Sequence, residues 1–213
     1  MRCQAVLEAL RGRPDVARTM LESARASLAE LGLRHGLLET DLYAGMVELI
    51  AGEPDAAIAP LRSAFDGLGT LGVGADAGQA AALLARALLA VGEVDGADEM
   101  ASASEQLAGQ NLKTAIAWRV ARAEVQAARG DLGPAVASAT DAVELASTTD
   151  LIVDHADACA VLAMLCEMAG DASGAVSARQ MALRLYDVKG ATVPAERLRA
   201  ASHLGESAVP PCS

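Results

Sequence analysis

Aromatic side chains are nearly missing from this 213-residue chain: Trp118, Tyr43, Tyr186 and Phe65 are the whole set, although 53% of the residues are hydrophobic. A β-sandwich builds its core from β-branched and aromatic side chains, so a composition dominated by Ala and Leu excludes that class and favours close-packed helices. Lysine is scarce too, with only Lys113 and Lys189, and the formal net charge is −11. The basic surface that would neutralise phosphates is missing, which argues against nucleic acid as a partner. No stretch free of Asp, Glu, Lys and Arg exceeds nine residues, and Glu8 and Arg11 interrupt the only place for a signal peptide. Neither a membrane span nor an export signal is expected, so the protein should be soluble and cytoplasmic. Cysteines number four. Cys159 and Cys166 are seven apart on one expected helix, about 10 Å at the helical rise, so no disulfide framework is implied.

What is present is repetition. Five short segments, LRGRPDVA, IAGEPDAA, AVGEVDGA, AARGDLGP and MAGDASGA, place glycines at Gly12, Gly52, Gly92, Gly130 and Gly170, spaced by 40, 40, 38 and 40 residues. Five residues after each glycine stands an alanine: Ala17, Ala57, Ala97, Ala135 and Ala175. Twelve after come Ala24, Ala64, Ser104, Ala142 and Ala182, and seven before come Ala5, Gly45, Ala85, Ala123 and Ala163. Glycine permits the left-handed backbone that ends a helix, and the acidic or proline residue beyond it starts the next. Each unit therefore reads as an antiparallel helix pair, with small residues where the two helices must approach closely. Apolar residues between the turns recur at helical spacing, as in Leu83, Leu84, Ala87, Leu88 and Val91. Helices are expected near 2–11, 14–31, 35–51, 54–68, 76–91, 94–109, 112–129, 132–147, 151–169, 172–188 and 192–203. Residues 1–205 form one solenoid domain in this reading, and 206–213, with Pro210 and Pro211, form a disordered tail.

The turn glycine with Ala at plus five and a small residue at plus twelve resembles the tetratricopeptide repeat, lengthened to about 40 residues from the usual 34. The resemblance covers about residues 1–190 and implies an all-α, right-handed superhelix of about five helix pairs plus a C-terminal helix. One position departs from the family. Eleven before the glycine, where a large apolar residue is usual, stand Asp41, Ala81, Arg119 and Cys159. From Ala115 to Gly190 the chain is similar to the C-terminal helical region of bacterial ATP-binding signalling proteins of the adenylate/guanylate cyclase-like type. Trp118-Arg119, the turn at Gly130, Thr149-Asp150, the segment from Ala163 to Gly170, and Leu185-Tyr186 with Lys189-Gly190 carry that similarity. In such proteins a cyclase domain and a P-loop ATPase precede the repeats. The two lysines here lie in NLKTA and DVKGA, so no G-x-x-x-x-G-K-[ST] phosphate loop exists in this sequence.

Candidate chemical sites are few, and each has a plainer explanation. Gly67-Leu68-Gly69-Thr70-Leu71-Gly72 spells G-x-G-x-x-G, but a helical pattern precedes it where a dinucleotide fingerprint needs a strand, so a flexible loop is expected. Asp154, His155 and Cys159 are metal-ligand types, yet neither His35 nor His203 has a thiol or carboxylate arranged to complete a structural zinc set. Asp150 and Asp154 are read instead as a helix cap and a first-turn carboxylate. Glu93, Asp95, Asp98 and Glu99 read as a solvated helix start rather than a catalytic acid and base. Trp118 is either an interface anchor or a core filler. No catalytic residue, cofactor or metal is expected.

In tetratricopeptide solenoids the first helix of each pair lines a concave groove. Carried onto this chain, that row selects Leu42, Met46, Arg86, Leu89, Val120 and Glu124 as a ligand groove. The expected ligand is a protein or peptide segment, apolar or basic, or another domain of a parent protein. The alternative is a solenoid that encloses a small-molecule effector and regulates transcription. Met1 falls inside the first helix of a pair, so that end reads as truncated. Val6, Leu7 and Leu10 would then lie uncovered and dock onto a parent domain or drive homo-oligomerisation through the N-terminal helices.

Overall fold

The computed structural model describes residues 1–206, with side-chain surroundings to Ala201. The expected tail lies outside the described residues, apart from Glu206, which ends a helix. Eleven helices and no strand make up the described residues: α1 (Arg2–Leu10), α2 (Pro14–Glu30), α3 (Arg34–Ala51), α4 (Pro54–Thr70), α5 (Gly74–Ala90), α6 (Val94–Ala108), α7 (Leu112–Ala128), α8 (Leu132–Ser147), α9 (Ile152–Met168), α10 (Ala172–Lys189) and α11 (Thr192–Glu206). The chain is an all-α solenoid of five helix pairs and a terminal helix.

The repeat works as its spacing demands. Gly12, Gly52, Gly92, Gly130 and Gly170 all adopt positive φ, from 79° to 88°, a conformation that a Cβ disfavours. Pro14 and Pro54 open α2 and α4 at a position where no backbone N–H is needed. The small residues seven before, five after and twelve after each glycine are all buried. Gly45 shows why: a Cβ there would come within 2.3 Å of Leu61 Cγ, and Leu61 is fully buried. A second series of turns, at Gly32, Gly72, Gly109 and Gly190, also uses positive φ and links one pair to the next.

First helices α1, α3, α5, α7 and α9 pack on one another in succession and form the concave wall, while second helices stand apart on the convex side. Eleven before the glycine, Asp41 and Cys159 face the convex grooves between second helices. Asp41 in α3 pairs there with Arg25 and accepts a hydrogen bond from Ser63 at 2.8 Å. Arg119 donates to the Ala115 carbonyl at 2.8 Å, and Cys159 lines a cavity. The helix starts are not displaced by these residues: Ala81 and Cys159 are small and buried, and the buried Asp41 carboxylate is both ion-paired and hydrogen-bonded.

α11 turns back to the first pair. Thr192 Oγ1 donates to the Leu10 carbonyl at 3.3 Å, and Arg197 Nη1 donates to the Leu49 carbonyl at 3.5 Å. Leu10 is 5% exposed and shares a cluster with Ala191, Ala195 and Tyr186, against which Val6 and Leu7 pack. The expectation of an uncovered N-terminal face is corrected: the chain's own last helix covers it, and the reason to expect self-association through Val6, Leu7 and Leu10 is removed.

Candidate functional site

Three first helices present their C-terminal halves to the concave side, and their side chains line a cleft of about 330 Å³. Arg86 and Leu89 come from α5, Glu124 and Ala127 from α7, and Met164 and Met168 from α9. These positions are separated by about one repeat each, so only stacking brings them to one surface. Arg86 grips Glu124 bidentately, with Nε to Oε2 at 2.7 Å and Nη2 to Oε1 at 3.2 Å. Nearby, Tyr186 Oη donates to Asp157 Oδ1 at 2.5 Å. Burial pushes the Asp157 carboxyl up to about 6, against the pull of Arg86 and of the Tyr186 hydrogen bond. Burial also holds the Tyr186 phenol well above its ordinary range, reinforced by Asp157, and Glu124 holds Arg86 more firmly protonated. Two carboxylates against one guanidinium leave this inner surface acidic above pH 6, beside an apolar wall.

Of the six expected groove residues, Arg86, Leu89 and Glu124 meet in the cleft. Leu42 and Val120 do not: each is 4% exposed and belongs to the core. Small residues such as Ala82 and Ala85 let the first helices close on one another, so positions one turn towards their N-termini are buried in the seams. Met46 is half-buried outside the cleft. Met168 escaped the sequence reading, as did the bond between Tyr186 and Asp157. Asp157 and Met164 fall in the first-helix rows and were legible there; Tyr186 lies on a second helix, where no row of the repeat points inward.

Other expected sites resolve into structure. Gly67 and Gly69 lie inside α4 and only Gly72 turns, so the expected loop is instead a helix end; a Cβ at Gly67 would come within 2.3 Å of Leu38. Asp150 does not cap α9; Thr149 Oγ1 accepts from Leu151 N at 3.2 Å nearby, and Asp154 is the first-turn carboxylate. Asp95 is exposed, as expected, and pairs with Arg129, while Asp98 is drawn into ion pairs with both Arg122 and Arg129. Trp118 is half-buried with the Arg119 guanidinium 4.3 Å from its ring centre. His155 and Cys159 line a convex cavity of about 490 Å³ between α8 and α10.

No protein-family model matches the chain, and no curated sequence matches it. Solved structures do resemble it. A single-substitution variant of a putative kinesin light chain from Podospora anserina, described as having nearly identical TPR-like repeats, superposes with a TM-score of 0.59 at 17% identity, over 86% of this chain and 92% of that one. Another structure of that putative kinesin light chain gives 0.57 at 17% identity over the same shares. BtubC (BKLC) from P. vanneervenii gives 0.57 at 16% identity, over 96% of this chain and 94% of that one. The tetratricopeptide-like solenoid is thus a fold shared with known repeat proteins. Among the described residues, no helix is long and apolar enough to cross a membrane.

Proposed function

We propose that this chain is a non-catalytic interaction module whose concave cleft receives an apolar or basic segment of a protein partner. The observation that carries the reading is the pairing of an adaptable apolar wall with a fixed ionic floor. Met164 and Met168 are 40% and 52% exposed, and methionine adapts its shape to an incoming side chain. Burying such surface contributes about 25 cal/mol per Å². Arg86 uses Nε and Nη2 on Glu124, while its Nη1 and the Oδ2 of Asp157 have no hydrogen-bond partner among the described residues. Affinity would come from the methionines and register from the charges.

The similarity of Ala115 to Gly190 to cyclase-like ATP-binding regulators supports a signalling setting, with another domain of such a regulator as partner. Neither ATP hydrolysis nor cyclic-nucleotide synthesis is expected of the chain itself, which lacks the phosphate loop. A second reading, a sensor enclosing a small molecule, draws support from α11, which spans from α10 to α1 and joins the two ends of the solenoid.

The test is partner capture with single variants. Met168→Glu and Arg86→Gln should each weaken capture while leaving the helical spectrum and melting transition in place. Glu99→Ala, an exposed position on α6, should leave capture unchanged. Equal effects at all three positions, or none at Met168 and Arg86, would remove the cleft from consideration.

A further inference from the structure

A separate cluster lies at the other end of the first helices. His35 and Glu39 are one turn apart on α3, and their side chains share a face. Asp76, in the first turn of α5, meets them there because the third pair stacks on the second. One nitrogen or oxygen from each of the three residues lies within 4.8 Å of the other two. A first-row ion bonded at about 2.1 Å holds its ligand atoms about 3–3.5 Å apart, and side-chain rotation closes the difference.

Neighbouring groups account for only part of this arrangement. Arg2 Nη2 approaches Glu39 Oε2 at 2.9 Å, and Arg2 Nη1 donates to the Gly36 carbonyl at 2.8 Å. His35 Nδ1 is 3.7 Å from the same Glu39 oxygen. Arg2 thus explains the position of Glu39. It does not explain Asp76, which is half-buried and has no ion pair or side-chain hydrogen bond among the described residues. Two carboxylates against one guanidinium leave a net negative charge beside an imidazole nitrogen, which is the electrostatic setting of a cation site.

The donor set chooses the ion. One imidazole and two carboxylates without a thiol suit zinc and its first-row neighbours, whereas magnesium and calcium favour oxygen alone. His35 is half exposed, so an ion has a path in, and three protein ligands leave coordination positions for water. Among successive first helices, α3 and α5 touch least, and an ion held between them would tie that seam. We propose that His35, Glu39 and Asp76 form a binding site for a divalent first-row transition-metal ion that bridges α3 and α5. The site is independent of the concave cleft and does not rest on the interaction-module reading.

The experiment uses the full chain, freed of metal with a chelator and titrated with Zn²⁺ by calorimetry and with Co²⁺ by visible absorption. One equivalent should bind, with a dissociation constant below about 10 μM. His35→Ala and Asp76→Asn should each weaken binding at least about tenfold. Zn²⁺ should raise the melting temperature of the parent chain and not that of Asp76→Asn, since an ion that binds only the folded state stabilises it. Both variants alter partly exposed side chains, and their metal-free melting curves report separately on folding. No binding by the parent chain would overturn the proposal. So would affinity unchanged by both substitutions, or a thiolate-to-cobalt charge-transfer band, which would place the ion on cysteine.

Discussion

The convex groove between α6 and α8 and the one between α8 and α10 share a backbone frame and differ in what fills them. On the floor of the first, α7 presents Arg122, which donates to Glu105 at 2.9 Å and to Ser102 at 3.2 Å, and Gln126, which accepts from Ser138 at 2.9 Å. At the same places α9 presents Leu162 and Cys166, with Cys159 one turn before, and a cavity of about 490 Å³ remains. Burial pushes the Cys159 thiol up to about 11 and lowers the His155 imidazole, so the second floor is uncharged at neutral pH. Small residues facing the partner helix determine how the pairs stack. Residues on the opposite edge of the first helix decide whether each convex groove closes.

The largest expected effect comes from altering the shared frame rather than its filling. Gly45→Val would drive side-chain atoms into Leu61, and overpacking of this kind should cost about 3 kcal/mol or more, read from urea denaturation. Next, Arg122→Ala should turn the filled groove into an open one. It removes a stem packed across the groove and leaves Glu105 unpaired, while Asp98 keeps Arg129, so a loss of about 2 kcal/mol is expected by the same measurement.

The two floor helices also differ on their concave sides, where α7 has Ala117 and α9 has Asp157. Because the folded Asp157 carboxyl titrates near 6 rather than 3.8, the folded state binds more protons between those values, and stability should fall as pH rises through that window. Asp157→Asn should therefore be more stable than the parent by about 1–2 kcal/mol at pH 7, with the advantage gone below about pH 4. Melting curves across that range check both the size and the sign.

The smallest effect gives the sharpest contrast. Ala178 and Ser138 stand eight residues after their turn glycines on α10 and α8. Ala178→Leu adds apolar volume beside the open cavity and should stabilise by about 0.5–1 kcal/mol. Ser138→Leu makes the equivalent change where Gln126 already occupies the groove, and should destabilise. The same sign from both would show that the grooves do not differ in filling.

Five turns and eleven helices were legible because each rests on local features: a glycine at positive φ, a proline at a helix start, a run of helical period. Gly32, Gly72 and Gly190 stand twenty residues after a turn glycine and Gly109 seventeen after one, so the breaks expected between helix pairs share the same period, and the structure shows that these glycines make them. Half of the six expected groove residues reach the cleft. Arg86, Leu89 and Glu124 lie on first-helix rows, but the same rows bury Leu42 and Val120, because how tightly first helices close depends on every interface between them.

By itself, the sequence determined the secondary structure, the helix pairs and the closeness of packing within them, since these depend on contacts between residues a few tens of positions apart at most. Tertiary structure alone decided which distant residues meet. The small rotation between successive pairs accumulates over five units, and no single residue encodes the sum. That sum brings Thr192 to Leu10, sets Asp76 beside His35 and Glu39, and joins α5, α7 and α9 into one cleft.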